Sequence, residues 1–296
     1  MRLYIIGNGF DLNHGLQTSY WNYKNFLLQQ YPTLAMNYEY SEFLSATECS
    51  IDTRWNDVEG GLALRYEDAF EDMVSNYYPD LNSEHTPGWD DINVETENQF
   101  AFLREFTGNA FHEWLISIEN NLGTIKPVYL FMNKDVFINF NYTTTLERIY
   151  GILPANVLHI HGVVGNPDSI QFGNPENIPS EIEDELKSTY SGDEFFDVTI
   201  SPAITSMENY AHNAYKDIYS NIGNLTTFLQ GHGAISDVCV MGHTLLGIDD
   251  AYYNQVIVPL SQGAIWTIYV HNDEDVMRAN GFVTNYQIKQ FQLVQW

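Results

Sequence analysis

Two stretches of the chain end in side chains able to do chemistry. Val136-Phe-Ile-Asn-Phe-Asn-Tyr-Thr143 presents Asn139, Asn141 and Thr143, and Val157-Leu-His-Ile-His-Gly162 presents His159 and His161. Amides and hydroxyls hydrogen-bond a ligand, and imidazoles titrate near neutrality, so the set suits acid–base work on a small polar molecule. Each residue also has a plainer reading: capping a helix, filling a turn, or resting as a satisfied, partly buried histidine. His14, His232 and His243 share that last reading. Two such stretches together favour a site. Asp57 and Glu59, in Arg54-Trp-Asn-Asp-Val-Glu59, are a further carboxylate pair. Spacing favours Asp57 as the cap of a following helix and partner of Arg54 over acid–base work.

Both polar clusters follow apolar runs with the β-branched and aromatic content of buried strands. In an open parallel sheet, ligands bind beyond the carboxyl ends of the strands. Residues 144–156 suit a short helical crossover that lays the second strand parallel beside the first. His161 and Asn141 are therefore expected close together at neighbouring strand ends, facing the turn at Gly7 across one pocket. Arg2 to Ile6 reads as a strand, followed by Gly7-Asn8-Gly9-Phe10-Asp11 and an amphipathic run from Tyr20 to Leu28. Strand, Gly-x-Gly turn and helix make the opening unit of a nucleotide-binding fold, where glycines admit a phosphate and a helix N-terminus attracts it. Gly-x-Gly also marks tight turns without a ligand, and the third glycine of the dinucleotide fingerprint is replaced by Leu12.

Helical patterning dominates residues 31–121. Tyr66, Phe70, Met73, Val74 and Tyr77 form one apolar stripe, and Phe100, Leu103, Thr107, Ala110, Phe111, Trp114 and Ile118 a second. These stripes are core. Tyr78 to Asn98, with Pro79, Asn82, Pro87 and Gly88, reads as a long polar connector between them. Farther on, Ser169 to Asn174 reads as a strand entering a glycine turn, 175–200 as irregular, and Met207 to Leu229 as helical. The last third alternates: strand Asp237–Met241, loop Gly242–Asp250, helix Ala251–Leu260, strand Ala264–Val270, and an edge strand over Phe291–Trp296. The expectation is a single α/β domain over 1–296, a doubly wound, mainly parallel sheet with a helical insertion at 31–121 after the first strand.

With 12 Lys plus Arg against 39 Asp plus Glu, the net charge of -27 disfavours non-specific nucleic-acid binding. A small anionic ligand stays possible, because local donors offset a screened global field at short range. An acidic surface that captures a basic partner is another reading. Cys49 and Cys239 are too few for a zinc site, no metal is expected, and Cys239 fits a core strand. No apolar run reaches the length of a membrane span, so a cytoplasmic protein with no membrane partner is expected.

Gly7-Asn-Gly-Phe-Asp11, Gly15-Leu-Gln-Thr-Ser-Tyr20, Asn139-Phe-Asn-Tyr-Thr143, His159-Ile-His-Gly162 and Gly242-His-Thr-Leu245 with Asp249, taken in order, resemble the bacteriophage abortive-infection AbiH family over nearly the whole chain. Trp55, Asp57 and Glu59 are similar to that family's acidic Trp motif, which implies a place for both acids at the cleft. AbiH proteins in turn resemble, distantly, sirtuin-like NAD-binding domains of Rossmann type. That second resemblance implies Gly7 and Gly9 at a pyrophosphate, with Asn8 and Asp11 shaping the turn, Asn141 at the ribose or a water, and His161 as general base. It also implies that Gly162, Gly242, His243, Thr244 and Asp249 line the nucleotide site, Gly242 and Thr244 near the adenosine ribose. The cysteine quartet of deacylating sirtuins is absent, and Thr143 stands where many NAD-cleaving relatives carry Asp.

Cleavage of the nicotinamide–ribose bond passes through an oxocarbenium-like state, and a histidine can take the proton of the attacking water. The resemblance thus implies an antiphage defence protein that binds NAD or a related nucleotide and hydrolyses its N-glycosidic bond, with a phage protein as a possible trigger. The alternatives are a nucleotide-binding sensor without turnover and an acidic protein-interaction module.

Overall fold

A computed structural model describes residues 1–48, 50–79, 87–245 and 247–296. They form two compact units, one of Met1–Asn22, His112–Gln171 and Asp217–Trp296, the other of Tyr23–Phe111 and Phe172–Lys216. Cys49, Asn82 and Leu246, each part of an expectation above, lie outside the described residues.

The first unit is built on six strands: β1 (Arg2–Ile6), β2 (Val136–Asn139), β3 (Val157–His159), β4 (Asp237–Met241), β5 (Ile265–Val270) and β6 (Phe291–Gln295). They pair in parallel in the order β3-β2-β1-β4-β5-β6. Helices cover both faces, which is why β1, β2 and β4 carry the continuous apolar runs Leu3–Ile6, Val136–Ile138 and Val238–Met241 rather than alternating. Successive side chains of β1 serve opposite cores. Leu3 and Ile5 join Ile138, Val240, Leu225 and Tyr253 on one face; Tyr4 and Ile6 join Phe137, Met241, Phe10 and Leu146 on the other. This is a doubly wound α/β sheet.

The crossover between β2 and β3 is the helix Thr145–Tyr150, ended by Gly151 at φ +66. After β1 the chain enters a helix at once, Asn8–Asn13, so Gly9 lies inside a helix that the sequence pattern did not show; the amphipathic run is a second helix, Tyr20–Gln30. Helix Asp273–Asn285, also unforeseen, joins β5 to β6. Asn272 caps it by accepting from the Asp275 amide at 2.9 Å, and it buries Ala279, Phe282 and Val283. Among the described residues no helix is long and apolar enough to cross a membrane.

In the second unit, helix Tyr66–Tyr77 carries the first apolar stripe, with Phe70 and Met73 buried. The second stripe is divided among Asp91–Phe100, Phe102–Thr107 and Asn109–Glu119, the last of which belongs to the first unit from His112 on, with Gly108 (φ -102, ψ -106) breaking the last two. Asp91–Phe100 therefore occupies much of what reads as a connector. The strand expected at Ser169–Asn174 does not form: Phe172 is buried because it stacks on Phe111 at 3.8 Å, an aromatic contact that mimics strand composition. Residues 175–200 are more regular than expected, since Pro179 opens helix Pro179–Tyr190 from the one turn that tolerates its missing N–H. The helical span Met207–Leu229 is two helices, Ser201–Asn213 and Ile218–His232; Asp217 caps the second by accepting from Ser220 N at 3.0 Å.

Candidate functional site

The strand order reverses between β1 and β4, and there three glycines meet. Gly7 N donates to Met241 O at 3.0 Å and Gly9 N to Gly242 O at 2.9 Å. A Cβ on Gly7 would stand 2.6 Å from Gly242 O, one on Gly9 2.7 Å from Gly242 Cα, and one on Gly242, at φ +71, 2.2 Å from Phe10 N. These glycines are required so that the turn after β1 can lie directly on the end of β4.

The end of β2 is fastened to the same turn. Asn139 pairs in register with Ile6 of β1 and His159 of β3, and its Oδ1 accepts from Asn141 N at 3.0 Å. Asn141 Nδ2 then donates to Gly7 O at 3.0 Å. Just beyond, Thr143 Oγ1 (2.6 Å) and Thr145 Oγ1 (2.8 Å) donate to the two oxygens of Asp11. That carboxylate is wholly buried; burial pushes its pKa up to about 6, although the two hydroxyl donors pull the other way.

His159 and His161 part company at the end of β3. His159, the last strand residue, turns toward the crossover helix, its Nε2 2.8 Å from Glu147 Oε1. His161 lies in the following turn, 3 % exposed, between the rings of Phe140 (5.4 Å) and Tyr252 (5.8 Å). Gly162 follows at φ +89, where a Cβ would meet Ser169 O. His161 Nε2 is 3.3 Å from Asp249 Oδ1, and His243 Nε2 is 3.3 Å from Asp249 Oδ2. One carboxylate thus faces both imidazoles. Leu245 N donates to His243 Nδ1 at 3.0 Å, so Nδ1 is an acceptor and the neutral ring carries its proton on Nε2, toward Asp249.

A cavity of about 440 Å³ opens beyond the ends of β1, β4 and β5, well within the range of small-molecule sites. Of the residues singled out in the sequence, Asn8, Gly9, Gly242, His243 and Thr244 line it. Gly7, Asp11, Asn141, Thr143, His159, His161, Gly162 and Asp249 are not on its wall; Asn141 holds the turn after β1, Thr143 holds Asp11 of the helix that follows it, and Asp249 faces His243. The other wall was missed: Tyr269 and His271 at the end of β5, Asn272, Asp275 and Arg278 on the following helix, and Trp296. The cap pattern Asn272-x-x-Asp275 was the available signal for that helix. Arg278 is held by Glu274 at 2.8 Å and by Asp275, which also accepts from His271 N at 2.9 Å.

Asp57 and Glu59 belong to the second unit. Asp57 Oδ1 caps Val58–Gly61 by accepting from Gly60 N at 2.9 Å. Glu59 Oε2 is 2.8 Å from Nζ of Lys216, which is fully buried. Arg54 donates to the Glu39 carbonyl.

No curated protein and no solved structure matches the chain significantly. The family model described as bacteriophage abortive infection AbiH matches residues 3–270, from the second residue of β1 to the last of β5. It therefore takes in β1 to β5, the glycine junction, both histidine turns and Asp249, and the chain belongs to the bacteriophage abortive infection AbiH family.

Proposed function

We propose that this AbiH protein acts in abortive infection by binding NAD or a related nucleotide in the crevice between β1 and β4 and hydrolysing its N-glycosidic bond. The observation that carries the reading is the strand order β3-β2-β1-β4-β5-β6. Sheets of this order bind dinucleotides where the order reverses, and the cavity opens there. Its donor set fits such a ligand: Trp296 and Tyr269 for a base, Asn8, Thr244 and Asn272 for hydroxyls, Arg278 for a phosphate oxygen. The glycine turn fits less well, because Gly7, Gly9 and Gly242 make room for one another's backbone before they make room for a phosphate.

In this reading the C1′–N bond breaks, nicotinamide leaves with the electron pair, and water adds at C1′ as His161 takes its proton. Asp249, 3.3 Å from the ring, would stabilise the resulting imidazolium. Asn141, buried and tied to Gly7, would act by positioning the turn that carries Asn8 and Gly9 to the ligand. A phage protein is the proposed trigger.

One observation favours a second reading, a nucleotide sensor without turnover: His161 is 3 % exposed and is not on the cavity wall. Incubation of the purified chain with NAD, followed chromatographically for nicotinamide, tests the first. Release should fall at least about 10²-fold in His161→Gln, assayed well below the unfolding midpoint of the variant, since replacing a ring buried at 3 % exposure also lowers stability. NAD binding without release would leave the sensor, and neither binding nor release would overturn both.

A further inference from the structure

On the first unit, residues 126–134 run Lys-Pro-Val-Tyr-Leu-Phe-Met-Asn-Lys, and no acid occurs anywhere in 120–134 or 148–167, in a chain with 39 acids. The segment belongs to no helix or strand and bends at Tyr129. Its side chains alternate: Val128, Leu130 and Met132 are 59 %, 98 % and 53 % exposed, while Tyr129 and Phe131 turn inward. Tyr129 stacks on Phe10 at 5.7 Å, and Phe131 meets Tyr4 at 5.0 Å and Tyr150 at 4.8 Å. The backbone is held as firmly. Tyr150 accepts from Val128 N at 3.1 Å, and Asp135 accepts from Met132 N at 2.8 Å. Asn156 Nδ2 donates to Asn133 O at 2.9 Å, bringing in the second acid-free stretch with Leu153, 64 % exposed. Lys126 and Lys134, both exposed, bracket the ridge.

We infer that this ridge docks onto an anionic lipid surface. Apolar side chains standing free on an ordered segment, with a cation at each end, match the layered chemistry of a membrane interface, where acyl chains lie beneath anionic headgroups. A chain of net charge -27 is repelled by those headgroups, so approach is least opposed where residues 120–134 and 148–167 carry no acid. The acid that adjoins the ridge, Asp135, is buried and accepts from Met132 N, and acids more than about 8 Å away are largely screened at physiological salt. A second copy fits less well, because two ridges laid antiparallel would set Lys126 of one against Lys134 of the other. The contact is peripheral, so it needs no spanning helix, and it departs from the expectation that the chain has no membrane partner.

Flotation of the full chain with vesicles of phosphatidylethanolamine containing one-quarter phosphatidylglycerol tests this, with pure phosphatidylcholine vesicles as the neutral control. The chain should float with the anionic vesicles only, and high salt should release it. Leu130→Asp, at a position too exposed to matter to folding, should cut partitioning roughly tenfold or more, with an unchanged unfolding midpoint. Lys126→Glu with Lys134→Glu should do the same. No flotation with anionic vesicles, or flotation indifferent to both variants, overturns the inference. So does a dimer in sedimentation that Leu130→Asp dissolves without any vesicle binding, which would assign the ridge to a second copy.

Discussion

Asn141 Nδ2 donates to the carbonyl of Gly7 across 3.0 Å, joining residues 134 positions apart in the chain. Both are buried, and Gly7 O also accepts from Phe10 N at 2.9 Å, so Asn141→Ala removes one of its two bonds without orphaning it. The expected loss from that bond is about 0.5–1.5 kcal/mol of stability, measured by urea unfolding. An unchanged midpoint would mean that the bond does not hold the turn.

The glycine junction predicts a contrast between two glycines of positive φ. Gly242→Ala meets Phe10 N at 2.2 Å, whereas a Cβ on Gly15 meets nothing within 4 Å. Gly15→Ala should cost about 1–2 kcal/mol of backbone strain alone. Gly242→Ala adds an overpacking cost of about 1–3 kcal/mol or more. Equal thermal shifts would contradict the close approach.

Asp11 gives a pH dependence of definite sign. Its folded-state pKa, about 6, lies above the ordinary 3.8, so the folded protein holds this proton more tightly than the unfolded chain. The stability it contributes is complete below the ordinary value and is lost as pH rises through the folded one. The loss is about 3 kcal/mol by pH 7. Asp11→Asn should therefore gain on the native protein by about that amount between pH 4 and pH 7 in paired unfolding experiments. A difference that stays flat with pH would refute the assignment.

In the second unit, removing one member of the Lys216–Glu59 pair should be severe. Lys216→Met alone leaves a carboxylate without its buried cation, at a cost of about 3–5 kcal/mol. Adding Glu59→Gln should recover part of that loss. Additive losses would show that the two side chains do not act on each other.

The sheet was legible because strands buried on both faces carry continuous apolar runs, as Leu3–Ile6, Val136–Ile138 and Val238–Met241 do, and because β5 is rich in β-branched and aromatic residues. Helix Asp273–Asn285 was not, since its buried stripe of Ala279, Phe282 and Val283 is short and follows three acids that read as a solvated loop. Phe172 misled, because an aromatic stacked on Phe111 has the composition of a strand without its ladder. At the candidate site, strand-end residue types drew attention to Asn141, His161 and Gly242 as groups facing one pocket; Gly242 lines the cavity, whereas Asn141 is tied to Gly7 and His161 packs between Phe140 and Tyr252. No periodicity encodes that Asp249 faces both His161 and His243, or that Arg278 and Trp296 close the cavity, since those relations exist only after β4, β5 and β6 have paired.

The most direct test of the central claim is calorimetric titration of NAD into the native chain and into Thr244→Trp, which fills the cavity from an exposed position on its wall. Binding by the native chain, weakened roughly tenfold or more in the variant at an unchanged unfolding midpoint, is the predicted result. Equal affinity in the two proteins, or no binding by the native chain, would contradict a nucleotide site between β1 and β4.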